Sequence, residues 1–159
     1  MDYTIIKVII AIILGYLLGS IPTAVIISKK VFGFDIRDKG SGNMGSTNAL
    51  RIMGLKWGII VQIIDILKGL FAVLIAGWIV KDGIDLGSLT YFEDTTLVKI
   101  FAGIAAVIGH IWPVFLKFKG GKGVNTAAGM LLGIIPLDVG IAVIVFIIAL
   151  LLSMTILLI

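Results

Sequence analysis

Long uncharged apolar runs dominate this chain and limit the folds open to it. Two of these runs cover Val8–Ser28 and Ile100–Leu116, and two more cover Val124–Leu137 and Val139–Ile159. A transmembrane helix needs about 20 mainly apolar residues. Only 14% of the 159 residues are charged, whereas a soluble domain averages about 25%. We therefore predict an all-α polytopic membrane protein that forms a single integral membrane domain over residues 1–159.

The apolar runs predict five spans. A single helix over 123–159 would be about 55 Å long, whereas a bilayer core is about 30 Å thick. Gly133, Pro136 and Asp138 mark the break in this stretch. The first apolar run is too long for a signal peptide, and no small-residue cleavage site follows it. The predicted spans are about 4–28, 57–80, 97–116, 123–135 and 137–159.

Basic residues predict the orientation of these spans. Segments 29–56 and 117–122 hold nine of the thirteen Lys and Arg residues, but only two of the nine Asp and Glu residues. By the positive-inside rule both segments are cytoplasmic loops, so 81–96 and the N-terminus lie outside. The net charge of +4 reflects this asymmetry and does not indicate nucleic-acid binding. The absence of cysteine excludes disulfides and thiolate metal sites.

The first cytoplasmic loop contains a glycine-rich segment, Gly40–Asn48, with the sequence GSGNMGSTN. Its capping residues predict a short helix over about 44–53, whose N-terminus would point back at the Gly-Ser-Gly turn. Backbone N–H groups, the Ser41 hydroxyl and the Asn43 amide would then form an anion site. Arg51 could add a bidentate phosphate contact. The alternative is an ordinary flexible loop rich in turn-forming residues.

A second glycine-rich segment, Lys119–Gly123, opens directly onto the fourth predicted span. A helix N-terminus favours phosphate, and Lys122 would supply a point charge. The spacing of a Walker A motif is absent. The alternative is that these lysines only anchor the span on the cytoplasmic side.

Two isolated polar features lie inside the predicted spans. Gln62, Asp65 and Lys68 share one face of the second span, where ionisable groups usually face a bundle interior or a cavity. Lys68 either faces a substrate or forms an internal pair with Asp65. His110 is the only histidine and lies near the second loop. One alternative is a structural role for His110. The other is a functional role, in which it accepts a proton or contacts a phosphate. We expect no metal and no cofactor, since no carboxylate cluster is present.

Taken together, these motifs resemble those of a known family, the bacterial acyl-phosphate:glycerol-3-phosphate acyltransferases, or PlsY family. The resemblance runs from residue 16 to about 152. The motifs that carry it are Gly19–Pro22, Gly40–Asn48 with Arg51, Asp65–Gly69, Gly109–Phe115 and Phe118–Gly123.

The resemblance implies an enzyme of phospholipid synthesis. It would transfer an acyl chain from acyl-phosphate to glycerol-3-phosphate and release lysophosphatidate and phosphate. The implied partners are these two substrates and membrane lipid, with no nucleic acid and no metal. The family has seven spans with the N-terminus outside, in the cell (inner) membrane, and its active-site loops are cytoplasmic.

Mapped onto this sequence, the resemblance and the charge pattern nominate specific site residues. The predicted catalytic residues are Ser41, Lys122 and His110. The predicted substrate-binding residues are Gly40, Gly42, Asn43, Thr47, Asn48, Arg51, Lys68, Gly120, Gly121 and Gly123.

Two alternatives stay open. The family continues beyond the fifth span with a polar cytoplasmic turn and two further spans. It ends with a cytoplasmic segment that contributes a histidine and an asparagine to the active site, and both are missing here. An inactive, truncated remnant of the family is therefore one alternative. The other is a non-catalytic phosphate or organophosphate transporter. Transporters often contain internal repeats with a site at mid-membrane, whereas no repeat relates 1–80 to 81–159 and both loops lie at the surface.

Overall fold

The computed structural model describes residues 3–84 and 94–157, and within these ranges every regular element is helical. Short 3₁₀ turns at Ile36–Asp38 and Val114–Leu116 accompany the α-helices. The prediction of an all-α fold, with a short helix at the first glycine-rich loop, is confirmed. The helices are α1 (Tyr3–Gly19), α2 (Thr23–Phe32), α3 (Ser46–Met53), α4 (Leu55–Ile79), α5 (Asp94–Ile111), α6 (Val124–Ile134) and α7 (Pro136–Leu157).

Three helical segments are long and apolar enough to cross a membrane: Tyr3–Phe32, Leu55–Ile79 and Thr95–Leu116. Two shorter apolar segments follow, Val124–Ile134 and Pro136–Phe146. Large apolar side chains are exposed along all of these helices, as expected for surfaces that contact lipid. The five-span arrangement stays a prediction. Much of the predicted outer segment 81–96, and the last two residues of the predicted fifth span, lie outside the described residues.

The first predicted span, 4–28, is not one continuous helix. α1 ends at Gly19 and α2 begins at Thr23. Pro22 lies between them, and proline has no N–H to donate and disfavours helical geometry in the residue before it. The Ile21 carbonyl oxygen therefore lies outside any helix, where it accepts a hydrogen bond from the Lys68 side chain. This break brings the start of α2 against the middle of α4.

Small residues allow the long helices to pack closely. A Cβ atom on Gly19 of α1 would overlap the Ala106 carbonyl of α5. In the same way, a Cβ atom on Gly129 of α6 would overlap the Ile66 carbonyl of α4. Small residues at helix interfaces let backbones approach closely where lipid offers no hydrophobic drive for association. α4 consequently contacts α1, α3, α5 and α6 and brings the starts of α3 and α6 towards each other.

Candidate functional site

The first glycine-rich loop folds around a buried polar side chain, that of Asn48. Its Nδ2 atom donates hydrogen bonds to the carbonyl oxygens of Ile36 (3.3 Å), Lys39 (3.1 Å) and Asn43 (2.9 Å). Its Oδ1 atom accepts one from the Ser41 N–H at 3.0 Å. Asn48 is only 2% exposed. It therefore organises the loop from within.

Gly40 and Gly42 shape the same loop. Their φ angles are +62° and +71°, in a region of backbone conformation that residues other than glycine rarely adopt. A Cβ atom on Gly40 would also overlap the Asn48 side chain. Neither glycine lines the cavity described below. Their visible role is conformational, and their predicted contact with substrate stays a prediction.

The loop ends where α3 begins. The Asn43 side chain accepts a hydrogen bond from the Gly45 N–H at 2.9 Å, and Ser46 is the first helical residue. The first N–H groups of a helix have no partner within the helix and favour anions. The start of α3 lines the cavity through Ser46 and Thr47.

The second glycine-rich loop packs against the end of α5. The Gly120 N–H donates to the Ile111 carbonyl at 3.1 Å, and the Gly121 N–H donates to the His110 carbonyl at 3.0 Å. A Cβ atom on Gly121 would overlap the His110 imidazole. In this structure these two amides are therefore not available to an anion. A substrate-binding role for Gly120 or Gly121 stays a prediction.

Beyond these glycines the loop turns into α6. Gly123 has a φ angle of +77° and directly precedes the helix. The Asn125 side-chain amide then donates a hydrogen bond of 2.9 Å to the Ser46 hydroxyl oxygen. This bond joins the start of α6 to the start of α3, so the two loops meet.

A cavity of about 490 Å³ lies between the two loops. The cations Arg51 and Lys122 line it, and so do the first residues of α3 and α6. Two side chains and two helix N-termini thus contribute positive potential to one space, which suits a phosphate-sized anion. The lining residues are Ser41, Asn43, Gly45, Ser46, Thr47, Asn48, Arg51, Asp65, His110, Lys122, Gly123, Val124 and Asn125.

His110 lies at the border of this cavity, with only 3% of its surface exposed. Its Nδ1 atom is 3.3 Å from the Thr126 hydroxyl and 3.9 Å from Asp65 Oδ1. Both readings of His110, structural and proton-accepting, are compatible with this place, because the ring packs on Gly121 and also faces the cavity.

A buried ion pair joins Asp65 and Lys68. Lys68 Nζ lies 2.9 Å from Asp65 Oδ1, and the two side chains are 4% and 2% exposed. Asp65 Oδ1 also accepts a hydrogen bond from the Thr23 hydroxyl at 3.1 Å, and Lys68 Nζ donates to the Ile21 carbonyl at 3.2 Å. Asp65 lines the cavity, whereas Lys68 does not. The internal pair is present, and a role for Lys68 as a substrate ligand stays a prediction.

Several residues of this region were absent from the predicted site. Ser46 and Asn125 carry the contact between the loops, and Thr23 and Thr126 complete the buried cluster. The sequence could have indicated Asn125 and Thr126, because they follow Gly123 closely and polar residues often begin a helix at such a position. Among the described residues, no group of three or more His, Asp or Glu side chains could hold a metal ion.

The fold and the cavity define a class: a multi-pass helical membrane protein with a cationic polar site between two loops. Comparison with known proteins specifies the family. The family model described as glycerol-3-phosphate acyltransferase matches residues 9–158. The glycerol-3-phosphate acyltransferase of Chlorobaculum tepidum is 47% identical over 143 residues, which cover 89% of this chain and 60% of that protein. The chain therefore belongs to the glycerol-3-phosphate acyltransferase family.

Other relatives agree. Glycerol-3-phosphate acyltransferase 2 of Bacillus anthracis is 46% identical over 90% of this chain and 68% of its own length. Among solved structures, the glycerol 3-phosphate form of PlsY (YgiH), an integral membrane glycerol 3-phosphate acyltransferase, is similar with a TM-score of 0.72. It is 40% identical and covers 91% of this chain and 66% of its own. The lysophosphatidic acid form of the same protein is similar with a TM-score of 0.68. It is 39% identical and covers 86% of this chain and 61% of its own.

The chain spans about 60% of the length of several of the curated relatives it matches. The matches confirm the resemblance read from the motifs and the multi-pass membrane fold. They do not favour the transporter alternative.

Proposed function

We propose that this chain binds glycerol 3-phosphate and acyl-phosphate in the cavity between its two loops and transfers the acyl chain between them. The products are 1-acyl-glycerol 3-phosphate and inorganic phosphate, in phospholipid synthesis. The observation that carries the proposal is the convergence of Arg51 and Lys122 on one polar cavity in a member of this family.

The chemistry we propose is direct transfer from a mixed anhydride. A free hydroxyl oxygen of glycerol 3-phosphate attacks the acyl carbonyl carbon, forming the new ester bond. The bond between that carbon and the phosphate oxygen breaks, and phosphate leaves with the bonding electrons. The hydroxyl proton passes either to the departing phosphate or to His110. No covalent intermediate with the protein is required.

The chain's own residues serve this reaction by binding and orientation. Arg51 offers a planar fork of N–H donors that matches phosphate oxygens, and Lys122 offers a point charge. The N-termini of α3 and α6 add their free N–H groups. Ser41 orients a phosphate or the carbonyl oxygen, and the roles we assign to Asn43, Thr47 and Gly123 are contacts to the same groups. Holding two phosphorylated molecules together reduces the entropy cost of their encounter.

We further propose the orientation given by the charges. The two glycine-rich loops lie at the cytoplasmic face of the cell (inner) membrane, and the N-terminus lies outside. Glycerol 3-phosphate, which is water-soluble, then enters from the cytoplasm. The acyl chain of the donor stays in the lipid beside the apolar helix surfaces.

The test is acyl transfer by the purified chain in lipid, with palmitoyl-phosphate and radiolabelled glycerol 3-phosphate. Arg51→Ala and Lys122→Ala should each lower the rate by about 100-fold or more, because each removes a charge-assisted contact to the phosphate groups of the substrates. Lys119→Ala is the matched control, since this exposed lysine of the same loop does not line the cavity; it should retain the wild-type rate.

Palmitoyl-CoA in place of palmitoyl-phosphate tests the donor. Labelled product from the acyl-phosphate alone would support the proposed donor. Wild-type rates in both Arg51→Ala and Lys122→Ala would refute the proposed site.

A further inference from the structure

Asp65 is an unexpected neighbour for a phosphate. Among the residues that line the cavity in the described part of the chain, it is the only one with a carboxylate. Asp65 is 1% exposed, so little water is available to screen its charge. An unbalanced buried carboxylate would repel a phosphate group in the same space and oppose Arg51 and Lys122.

Lys68 lies where it can balance that charge. It follows Asp65 by one helical turn on α4, and its Nζ atom is 2.9 Å from Asp65 Oδ1. The ammonium group does not line the cavity, and it is also held by the Ile21 carbonyl at 3.2 Å. Lys68 is therefore positioned to neutralise Asp65 without occupying the space that a ligand would take.

The carboxylate has its own structural use. Asp65 Oδ1 accepts a hydrogen bond from Thr23, the first residue of α2, and lies 3.9 Å from His110 Nδ1. Through this pair of side chains α4 holds the middle of the Ser20–Pro22 break and the first residue of α2, because Lys68 binds Ile21 and Asp65 binds Thr23. Asp65 thus joins α2 to the cavity. Because its carboxylate would repel an anion bound there, it needs a positive charge beside it.

We infer that Asp65 and Lys68 form a charge-compensated positioning pair, in which Lys68 offsets the Asp65 carboxylate so that the cavity accepts phosphate. This inference rests on the proposed function, since it needs an anion in the cavity. It assigns Lys68 an electrostatic effect transmitted through Asp65 rather than direct contact with substrate.

The inference predicts that only one of the two single substitutions weakens phosphate binding. Lys68→Met leaves an unbalanced carboxylate beside the anion and should weaken phosphate binding by about tenfold or more. Asp65→Asn leaves an unbalanced ammonium and should bind phosphate at least as tightly as the wild type. The double variant restores neutrality and should lie within about threefold of the wild type.

The experiment is titration calorimetry of the full chain in lipid nanodiscs, with inorganic phosphate and then glycerol 3-phosphate as the probes. Glycerol, which is uncharged, is the ligand control. Gln62→Ala is the matched protein control, since Gln62 lies on the same helix, is exposed and does not line the cavity. Its dissociation constants should equal those of the wild type.

A purely structural role would give a different pattern: both single variants would bind phosphate more weakly, and the double variant would not recover. That result overturns the inference while the wild-type site stands. If Lys68→Met does not fold, the sign of the Asp65→Asn effect decides, because weaker binding by that folded variant also overturns the inference. A wild-type chain that binds neither probe refutes the proposed phosphate site itself, and the inference falls with it.

Discussion

The Asn125 side-chain amide donates a hydrogen bond of 2.9 Å to the Ser46 hydroxyl oxygen, across 79 residues of sequence. Both residues line the cavity, and each lies at the start of a helix, α6 and α3. The bond therefore sets the separation of the two helix N-termini that border the candidate phosphate site.

The first prediction concerns this bond. Ser46→Ala and Asn125→Ala should each weaken glycerol 3-phosphate binding by about five- to tenfold, since a hydrogen bond of this kind contributes about 1 kcal/mol. Because both substitutions remove the same bond, the double variant should bind about as well as either single one. Titration calorimetry measures the three dissociation constants. If the loss of binding free energy in the double variant equals the sum of the losses in the two single variants, the two residues act separately.

The second prediction concerns the contact between the second loop and α5. Gly121→Ala should lower the free energy of unfolding by about 1–3 kcal/mol, because its methyl group would overlap the His110 ring. Thermal unfolding in detergent measures the change. Gly140→Ala is the control, since a Cβ atom there meets no other group within 4 Å and alanine favours the helix.

A second background tests the cause of that loss. In a His110→Ala variant the ring is absent, so Gly121→Ala should lower the free energy of unfolding by less than it does in the wild type. An equal cost in both backgrounds would mean that the loop glycine is required for a reason other than the imidazole.

The third prediction concerns Asn48. Asn48→Asp keeps an oxygen near the Ser41 N–H but removes the donors to three carbonyl groups. It should destabilise the first loop by about 1–3 kcal/mol, the usual cost of leaving buried polar groups unpaired. Hydrogen exchange of the backbone amides over Gly40–Asn48 should become faster. The adjacent exposed residue gives the control: Thr47→Ala should leave exchange in the loop near the wild-type rate.

The fourth prediction concerns pH and the turn after α2. The Arg37 guanidinium holds the pKa of Asp35 well below its usual range, and hydrogen bonds from the Arg37 backbone and Lys29 add to this effect, while burial opposes it. A lowered carboxylate pKa stabilises the fold above the unfolded pKa of about 3.9, and the effect is lost as the pH falls through the folded value. Asp35→Asn should therefore be less stable than the wild type at pH 7, by about 1 kcal/mol.

Thermal unfolding at pH 7 and at about pH 3 checks this prediction. The difference in stability between Asp35→Asn and the wild type should be constant above about pH 5 and should shrink as the pH falls below 4. A difference that grows towards low pH would contradict the sign of the assigned pKa shift.

Much of the fold follows from features that are local in the sequence. Uncharged runs of membrane length specify helices, because every backbone N–H and C=O in lipid must be satisfied within its own segment. The glycine-rich segments, Arg51 and Lys122 were recognisable from residue type and spacing, and the cavity brings Arg51 and Lys122 together. The break in the first span was missed, although Pro22 was visible, because the surrounding apolar run is long enough for one continuous helix.

The tertiary structure decided what the local patterns left open. Asn48 was predicted as a substrate ligand from its place in a polar loop. Its side chain is hydrogen-bonded inside the loop and Asn48 also lines the cavity, so the substrate contact stays a prediction. The spacing of Asp65 and Lys68 allowed both an internal pair and a substrate contact. The structure shows the internal pair and a bond from Lys68 to Ile21 in the break between α1 and α2, whereas the substrate contact stays a prediction.

Sequence alone determined that the chain is helical, spans a membrane and carries two basic loops, since hydrophobicity, charge and glycine content act over a few neighbouring residues. It could not determine that Ser46 meets Asn125 or that Gly121 packs on His110. The first contact joins segments 79 residues apart, and small residues that let α4 and α6 approach closely help to bring them together. The second contact joins the end of α5 to the loop that follows it, and it depends on how that loop folds back.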